Sequence, residues 1–372
     1  MLRLTSIRIS NLGPFYGEQL IDLNRKHDSP ITIIVGANGS GKTSIIAALE
    51  WGLYGQEYPT SYQLVINKDK AKSVGSAFVE LSFQYGQRLY SLKRQFEAQE
   101  NVSPKMQTSL SILDITETTV PVDIENPQAF INLIAPIGVA MLSYLDCERI
   151  SELANQSSES TTILQVIAAS IAIQLDTFIE EDCNAHITQY LALNTIFRKI
   201  ESAVNERLID PKYRRNTTIS FDNNGRIKIR EAGRQACLGS SELEFIGFII
   251  LCETRNIIWE DFFAPKSLGS EPRLRPPLML DAPFSRMDRA YISEILTYLT
   301  KIHTPFILIL SPHVIEYISE HKLFSEKIGP IYALIQHGSP RPNFSGFEIH
   351  GFCVELAIED VAFEGVEVKC IN

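Results

Sequence analysis

The chain reads as short buried strands alternating with helical runs. Leu2 to Ile9 alternate apolar and polar residues, a period of two that predicts a first strand. The turn Asn11-Leu12-Gly13-Pro14 follows, and Gln19 to Leu23 predicts a second short strand. Ile31 to Val35 are almost all apolar, the pattern of a strand covered on both faces. Phe78 to Tyr85 and Arg88 to Phe96 alternate around Gly86-Gln87 and predict a hairpin, with Leu110 to Ile115 as a further strand. From Pro127 the spacing becomes helical. Apolar positions at Ile163, Ile167, Ile171, Leu175 and Phe178, then at Ile187, Leu191, Phe197, Ile200, Val204 and Leu208, predict two amphipathic helices. No heptad array is sustained, so they form a short hairpin with a turn near residues 182–184. Thr217 to Phe221 and Arg226 to Arg230 flank Asp222-Asn223-Asn224-Gly225, and Asn-Gly marks a tight hairpin turn. An apolar helix then runs to about Trp259, and residues 264–277 read as an exposed loop. Leu278 to Asp281 predicts a short buried strand, Asp288 to Thr300 a helix, and Pro305 to Leu310 another buried strand. A last helix and a strand over Ile331 to Ile335 complete this region, while residues 345–372 alternate weakly and carry no motif.

Between the strand ending at Val35 and the helical spacing of Ile45, Ile46, Leu49 and Leu53 lies Gly36-Ala37-Asn38-Gly39-Ser40-Gly41-Lys42-Thr43. It matches G-x-x-x-x-G-K-[ST] at every fixed position and has the strand and helix that this phosphate loop requires. Its glycines let successive N–H groups turn inward toward phosphate oxygens, and the helix adds the positive end of its dipole. Lys42 would reach the β- and γ-phosphates, and the Thr43 hydroxyl would bind Mg²⁺.

Composition adds limits. With 372 residues, 45% hydrophobic and 21% charged, the chain can bury a large core as one big domain or two smaller ones. The opening MLRLTSIRIS lacks the apolar stretch of a signal peptide, and Pro127 and Pro136 break the longest uncharged run, so no membrane span is expected. Six scattered cysteines without a C-x-x-C pair fit reduced thiols in a cytoplasmic protein. The net charge of −10 argues against a uniformly basic nucleic-acid binder.

Further motifs narrow the function. Leu278 to Asp281 is an apolar strand ending in an acid, continued by Ala282-Pro283-Phe284-Ser285-Arg286-Met287-Asp288. Leu238-Gly239-Ser240-Ser241-Glu242 follows a hairpin and precedes a helix, and Ser311-Pro312-His313 follows a strand. Together with the first hairpin and the phosphate loop, this order resembles the head of an ABC-type ATPase of the SMC and SbcC group. LGSSE is similar to its LSGGE signature, LMLDAPFSRMD to its Walker B and D-loop, and ILSPH to its switch histidine. The segment YLDCERI resembles the F-D-G-E-x-I segment of DndD-type ATPases of phosphorothioate DNA systems. The resemblance covers roughly residues 1–150 and 211–335.

The resemblance implies an α/β fold: an ABC-type P-loop ATPase head, two-lobed, with a mixed sheet and RecA-like core. Residues 1–150 would form an N-terminal lobe, 151–210 a short helical hairpin in place of a long coiled coil, and 211–372 a lobe with signature, Walker B and switch. It implies ATP and Mg²⁺ as cofactors and a homodimer sandwiching two ATP, with Gly36, Asn38, Gly39, Ser40, Gly41, Lys42, Thr43 and Ser44 on one side. Ser240 and Ser241 of the other copy would cap the γ-phosphate. Asp281 with Thr43 and Asp146 would hold the metal, His313 would sense the γ-phosphate, and Asp288 would contact across the dimer. His313 as a helix-start surface residue and Asp288 as a helix N-cap stay open beside these roles. Ala282 stands where most relatives have the water-orienting glutamate. Asp146 and Glu148 are the nearest replacements, with a solvated helix start as the other reading. Gly239 replaces the usual signature serine, which shifts that hydroxyl to Ser240.

Residues 212–234 carry seven positive charges (Lys212, Arg214, Arg215, Arg226, Lys228, Arg230, Arg234) against Asp222 and Glu231, a local +5. This is a DNA-facing surface or a solvated strand face. The leading expectation is an ATP-dependent dimer with weak hydrolysis that acts on DNA in repair, modification or defence, with a separate nuclease or other effector. A non-hydrolysing ATP-dependent scaffold is the alternative, and a transporter nucleotide-binding subunit is a third reading that the first hairpin argues against.

Overall fold

The computed structural model describes residues 3–24, 31–55, 76–97, 107–116, 121–135, 144–146, 150, 185–208, 217–222, 227–258, 278–300, 305–338, 346–349, 352–358 and 365–371. In chain order the elements are β1 (Arg3–Ser10), β2 (Glu18–Asp22), β3 (Ile31–Gly36), α1 (Lys42–Tyr54), β4 (Ser76–Tyr85), β5 (Arg88–Glu97), β6 (Gln107–Asp114), β7 (Val122–Asp123), α2 (Pro127–Ile134), β8 (Tyr144–Asp146) and α3 (Ala185–Leu208). They continue with β9 (Thr217–Phe221), β10 (Ile227–Glu231), β11 (Arg234–Gln235), α4 (Ser240–Ile258), β12 (Leu278–Asp281), α5 (Arg289–Leu299), β13 (Phe306–Leu310), α6 (Pro312–Glu320), α7 (Lys322–Ser325), β14 (Ile328–His337), β15 (Gly346–Ile349), β16 (Phe352–Glu355), β17 (Ala357–Ile358) and β18 (Gly365–Cys370). Packing divides the chain into two compact units, one of residues 1–135, 274–282 and 296–372, the other of 136–273 and 283–295.

Among the described residues, the first unit contains two large sheets and the small β15–β16 pair. One is antiparallel, in the order β2-β1-β4-β5-β6-β7. The other runs β17-β14-β3-β13-β12, with β18 antiparallel on β14. Every residue of β3 and of β13 is buried, because parallel neighbours flank both strands and their side chains meet cover on each face. Helix α1 lies on the antiparallel sheet: Trp51 stacks on Phe96 at 4.3 Å, and a side chain at Gly52 would press on Val79 at 3.0 Å. Arg94, buried on β5, donates to the Gly52 and Leu53 carbonyls and satisfies the C-terminal end of that helix.

The predicted hairpins over 78–96 and 217–230 form, as β4–β5 and β9–β10. Residues 345–372, without a role in the sequence, form the β15–β16 hairpin and supply β17 and β18 to the central sheet. That pairing rests on partners over twenty residues distant, which local alternation cannot reveal. The strand expected over Ile331 to Ile335 extends from Ile328 to His337, held by β3 on one side and β18 on the other. Strand β12, ending at Asp281, and strand β13, leading to His313, sit in the sheet of the phosphate-loop strand, inside the first unit.

In the second unit, α3 packs on β9: Phe197 stacks on Phe221 at 4.6 Å, and Asn205 bonds both the N–H and the carbonyl of Ile219, acting as a strand neighbour to an edge. Arg207 pairs with Glu253 of α4 at 3.2 Å. The helix predicted over residues 160–180 lies outside the described residues. No described helix is long and apolar enough to cross a membrane.

Candidate functional site

Four features meet at the C-terminal ends of adjacent parallel strands. Val35 pairs with Leu310, Asp281 with Ile309, and Gly36 with Leu334. The phosphate loop after β3, Asp281 ending β12, Ser311 to His313 after β13 and Gln336 near the end of β14 therefore share one edge of the sheet. Ligands of open α/β sheets bind at that edge.

The loop is tight by construction. A Cβ at Gly36 would collide with Ser40 Oγ, and Gly39 and Gly41 take positive φ, 79° and 89°. A Cβ at Gly41 would also lie 2.5 Å from Pro14 Cγ. Lys42 is buried, and its Nζ donates to the carbonyls of Gly36 and Ala37 at 2.9 Å each and to Asn38 Oδ1 at 3.4 Å. Burial pushes the Lys42 ammonium below its ordinary range, with Asp281 opposing. Thr43 Oγ1 donates to Asp281 Oδ2 at 2.5 Å, so two of the three expected metal ligands stand together.

The residues fit a nucleotide and a divalent cation. The Ser40 hydroxyl is fully buried without a hydrogen-bond partner among the described residues, the loop turns on its glycines, and a hydroxyl–carboxylate pair is assembled beside it. Ser44 is half-buried, 3.6 Å from the Cβ position of Gly13. His313 is exposed in the first turn of α6, with Nε2 3.4 Å from Ser311 Oγ.

Two contacts escaped the sequence reading. Gln336 Nε2 donates to the Gly39 carbonyl at 3.1 Å, and Pro14 covers Gly41 while its own carbonyl accepts from Val366 N at 2.8 Å. The signal for Gln336 was a polar pair, Gln336-His337, at the end of an apolar strand. Nothing local marked Pro14.

The segment Leu238 to Glu242 belongs to the second unit, with the loop after Ala282. Helix α4 starts at Ser240, which is exposed. Glu242 Oε2 reaches back to Gly239 N at 3.0 Å, the return half of a capping box. Asp288 is exposed, its carbonyl accepts from Ile292 N as the N-cap of α5, and its N–H donates to Ser241 Oγ at 2.7 Å. Glu244 is fully buried, and its Oε2 accepts from Arg286 N at 3.1 Å. Burial pushes its carboxyl up to about 7, against the pull of that N–H and of the Arg286 charge. Asp146 ends strand β8, with its side chain outside the described residues, as is all of Glu148. Ala282 takes φ 50°, uncommon for a residue with a side chain, and its N–H donates to Ile309 O. In the basic stretch Lys228, Arg230 and Arg234 are exposed, Lys228 lying 3.9 Å from Asp222, whereas Lys212, Arg214, Arg215 and Arg226 lie outside the described residues.

Comparison with known proteins places this geometry. A family model for an AAA domain matches residues 6–209. The chain is 32% identical over 95 residues to the SbcC component of the SbcCD nuclease of Treponema pallidum and 30% identical over 95 residues to the DNA double-strand break repair Rad50 ATPase of Methanocaldococcus jannaschii. These matches take in 25% and 26% of this chain and 9% of each relative. Its fold is similar over 100% of its length to 99% of an SMC head domain from Thermotoga maritima, with a TM-score of 0.53 at 16% identity. It is similar over 99% of its length to 98% of an SMC head bound to the C-winged helix domain of ScpA, with a TM-score of 0.55 at 12% identity. The chain belongs to the AAA domain family, and its fold is that of an SMC head domain.

Proposed function

We propose that this chain binds ATP with Mg²⁺, forms a homodimer around two nucleotides and hydrolyses them slowly while acting on DNA. The observation that carries this reading is the Thr43–Asp281 pair beside the Lys42 loop. Mg²⁺ held there would neutralise charge on the β- and γ-phosphates. Lys42 would exchange its loop carbonyls for phosphate oxygens, and the N–H groups from Asn38 to Ser44 would cradle them. Ser240 and Ser241, at a helix N-terminus, would cap the γ-phosphate of the second copy's nucleotide, with Asp288 beside them. His313 would sense that phosphate. Asp146 and Glu148 are the acids proposed to orient water, and Asp146 a further metal ligand.

The SbcC and Rad50 relatives, named for a nuclease and for double-strand break repair, support work on DNA beside a separate nuclease or other effector. The exposed Lys228, Arg230 and Arg234 are the proposed contact to DNA phosphates. Repair, DNA modification of the DndD type and defence against foreign DNA are the settings proposed, in the cytoplasm. Ala282 offers only a methyl group where the family resemblance implies a glutamate in most members, which favours a second reading: ATP closes the dimer and stays, making a scaffold that recruits the effector.

Single-turnover hydrolysis separates the two. Slow hydrolysis lost in Lys42→Ala supports the ATPase. Retained, unhydrolysed ATP supports the scaffold, and absence of any ATP binding contradicts both.

A further inference from the structure

The N-terminal end of α4 is joined to the loop after Ala282 by two hydrogen bonds and to α5 by a third. Ser241 Oγ accepts from Asp288 N at 2.7 Å, Glu244 Oε2 from Arg286 N at 3.1 Å, and Tyr291 OH meets Glu242 Oε1 at 3.4 Å. These bonds differ in their exposure. Asp288 is open to solvent, so water can replace its partner at little cost. Glu244 is fully buried, and water cannot take over its bond. A carboxyl group inside an apolar helix face is expensive, and Phe245, Ile246, Phe248 and Ile249 around it in sequence are all buried. An apolar side chain would serve packing better. What the carboxyl provides is an acceptor for the Arg286 N–H.

We propose that Glu244 is a positioning residue that clamps the loop 283–288 onto the start of α4, so that Ser240 and Asp288 meet the second copy's triphosphate as one preformed surface. The consequence at the phosphate rests on the ATP-sandwich reading above, whereas the clamp itself does not. Preforming the surface removes the ordering of a loop from the cost of closing the dimer. Both protonation states of Glu244 keep an oxygen for the Arg286 N–H, so an amide of the same length can replace it, while a shorter acid cannot reach.

The test compares the full chain with Glu244→Gln, Glu244→Asp and Glu244→Leu. Amide hydrogen exchange without nucleotide reads the clamp, and sedimentation with ATP and Mg²⁺ reads dimer closure. In the Asp and Leu variants, exchange across residues 285–288 rises at least tenfold, α1 and β3 exchange as before, and binding of a fluorescent ATP analogue changes less than twofold. ATP-driven association weakens at least tenfold in the same variants, and Glu244→Gln behaves as the parent in every measurement. If Glu244→Leu does not fold, Glu244→Asp decides. Unchanged exchange at 285–288 overturns the clamp. Faster exchange with undiminished ATP-driven association overturns the preformed surface. A parent chain that never associates with ATP defeats the sandwich reading alone, and the exchange result still decides the clamp.

Discussion

Thr43 Oγ1 and Asp281 Oδ2 lie 2.5 Å apart although 238 positions separate them in sequence. One ends the phosphate loop and the other ends β12, and the parallel order β3-β13-β12 brings them to the same sheet edge. A hydroxyl and a carboxylate at this spacing offer two of the six oxygen ligands that a small hard cation such as Mg²⁺ takes.

Asp281→Asn therefore keeps the fold but weakens Mg²⁺-dependent ATP binding about tenfold. Lys42→Ala weakens it about a hundredfold, as expected for losing a charge-assisted contact of about 3 kcal/mol. Nucleotide titrations with and without Mg²⁺, beside a thermal melt, measure both.

Gly41→Ala strains the loop from two directions. Its φ of 89° costs a residue with a side chain about 1–2 kcal/mol, and the new methyl would meet Pro14 Cγ at 2.5 Å. ATP affinity should fall about tenfold, more than the melting temperature alone would suggest. Calorimetric titration with ATP and a parallel melt check this.

The phosphate loop, the β4–β5 and β9–β10 hairpins and the strand ending at Asp281 were legible because each rests on local spacing. The Pro14–Gly41 contact and the Gln336–Gly39 bond were not, because they join residues 27 and 297 positions apart through the sheet order. The same is true of residues 345–372: β18 pairs with β14, whose partner residues lie 28 to 38 positions earlier in the chain. Glu244 read as one more residue of an apolar helix, since burial of a carboxyl cannot be seen in a periodicity.

Glu244 also gives stability a pH dependence of definite sign. Its carboxyl rises from 4.5 to about 7 on folding through burial, with Arg286 the charged group facing it. The folded chain then holds the extra proton, so this contribution is complete below about 4.5 and is lost as pH rises through 7, a change of up to about 3 kcal/mol. Urea unfolding at pH 5 and pH 8 should show a smaller difference in Glu244→Gln than in the parent chain.

Lys228 and Arg230 project from β10 on its exposed face, while Ile227 and Ile229 face inward. Replacing both with Gln should weaken DNA binding and reduce the slope of log affinity against log salt by roughly 2. Fluorescence anisotropy over a salt series gives the slope, and an unchanged value removes this face from the DNA contact.

The most direct test of the account is sedimentation of the purified chain with and without ATP and Mg²⁺. A shift from one copy to two on adding nucleotide, absent in Lys42→Ala, is the predicted result. The same mass under both conditions, with ATP bound, would contradict a triphosphate shared between two copies.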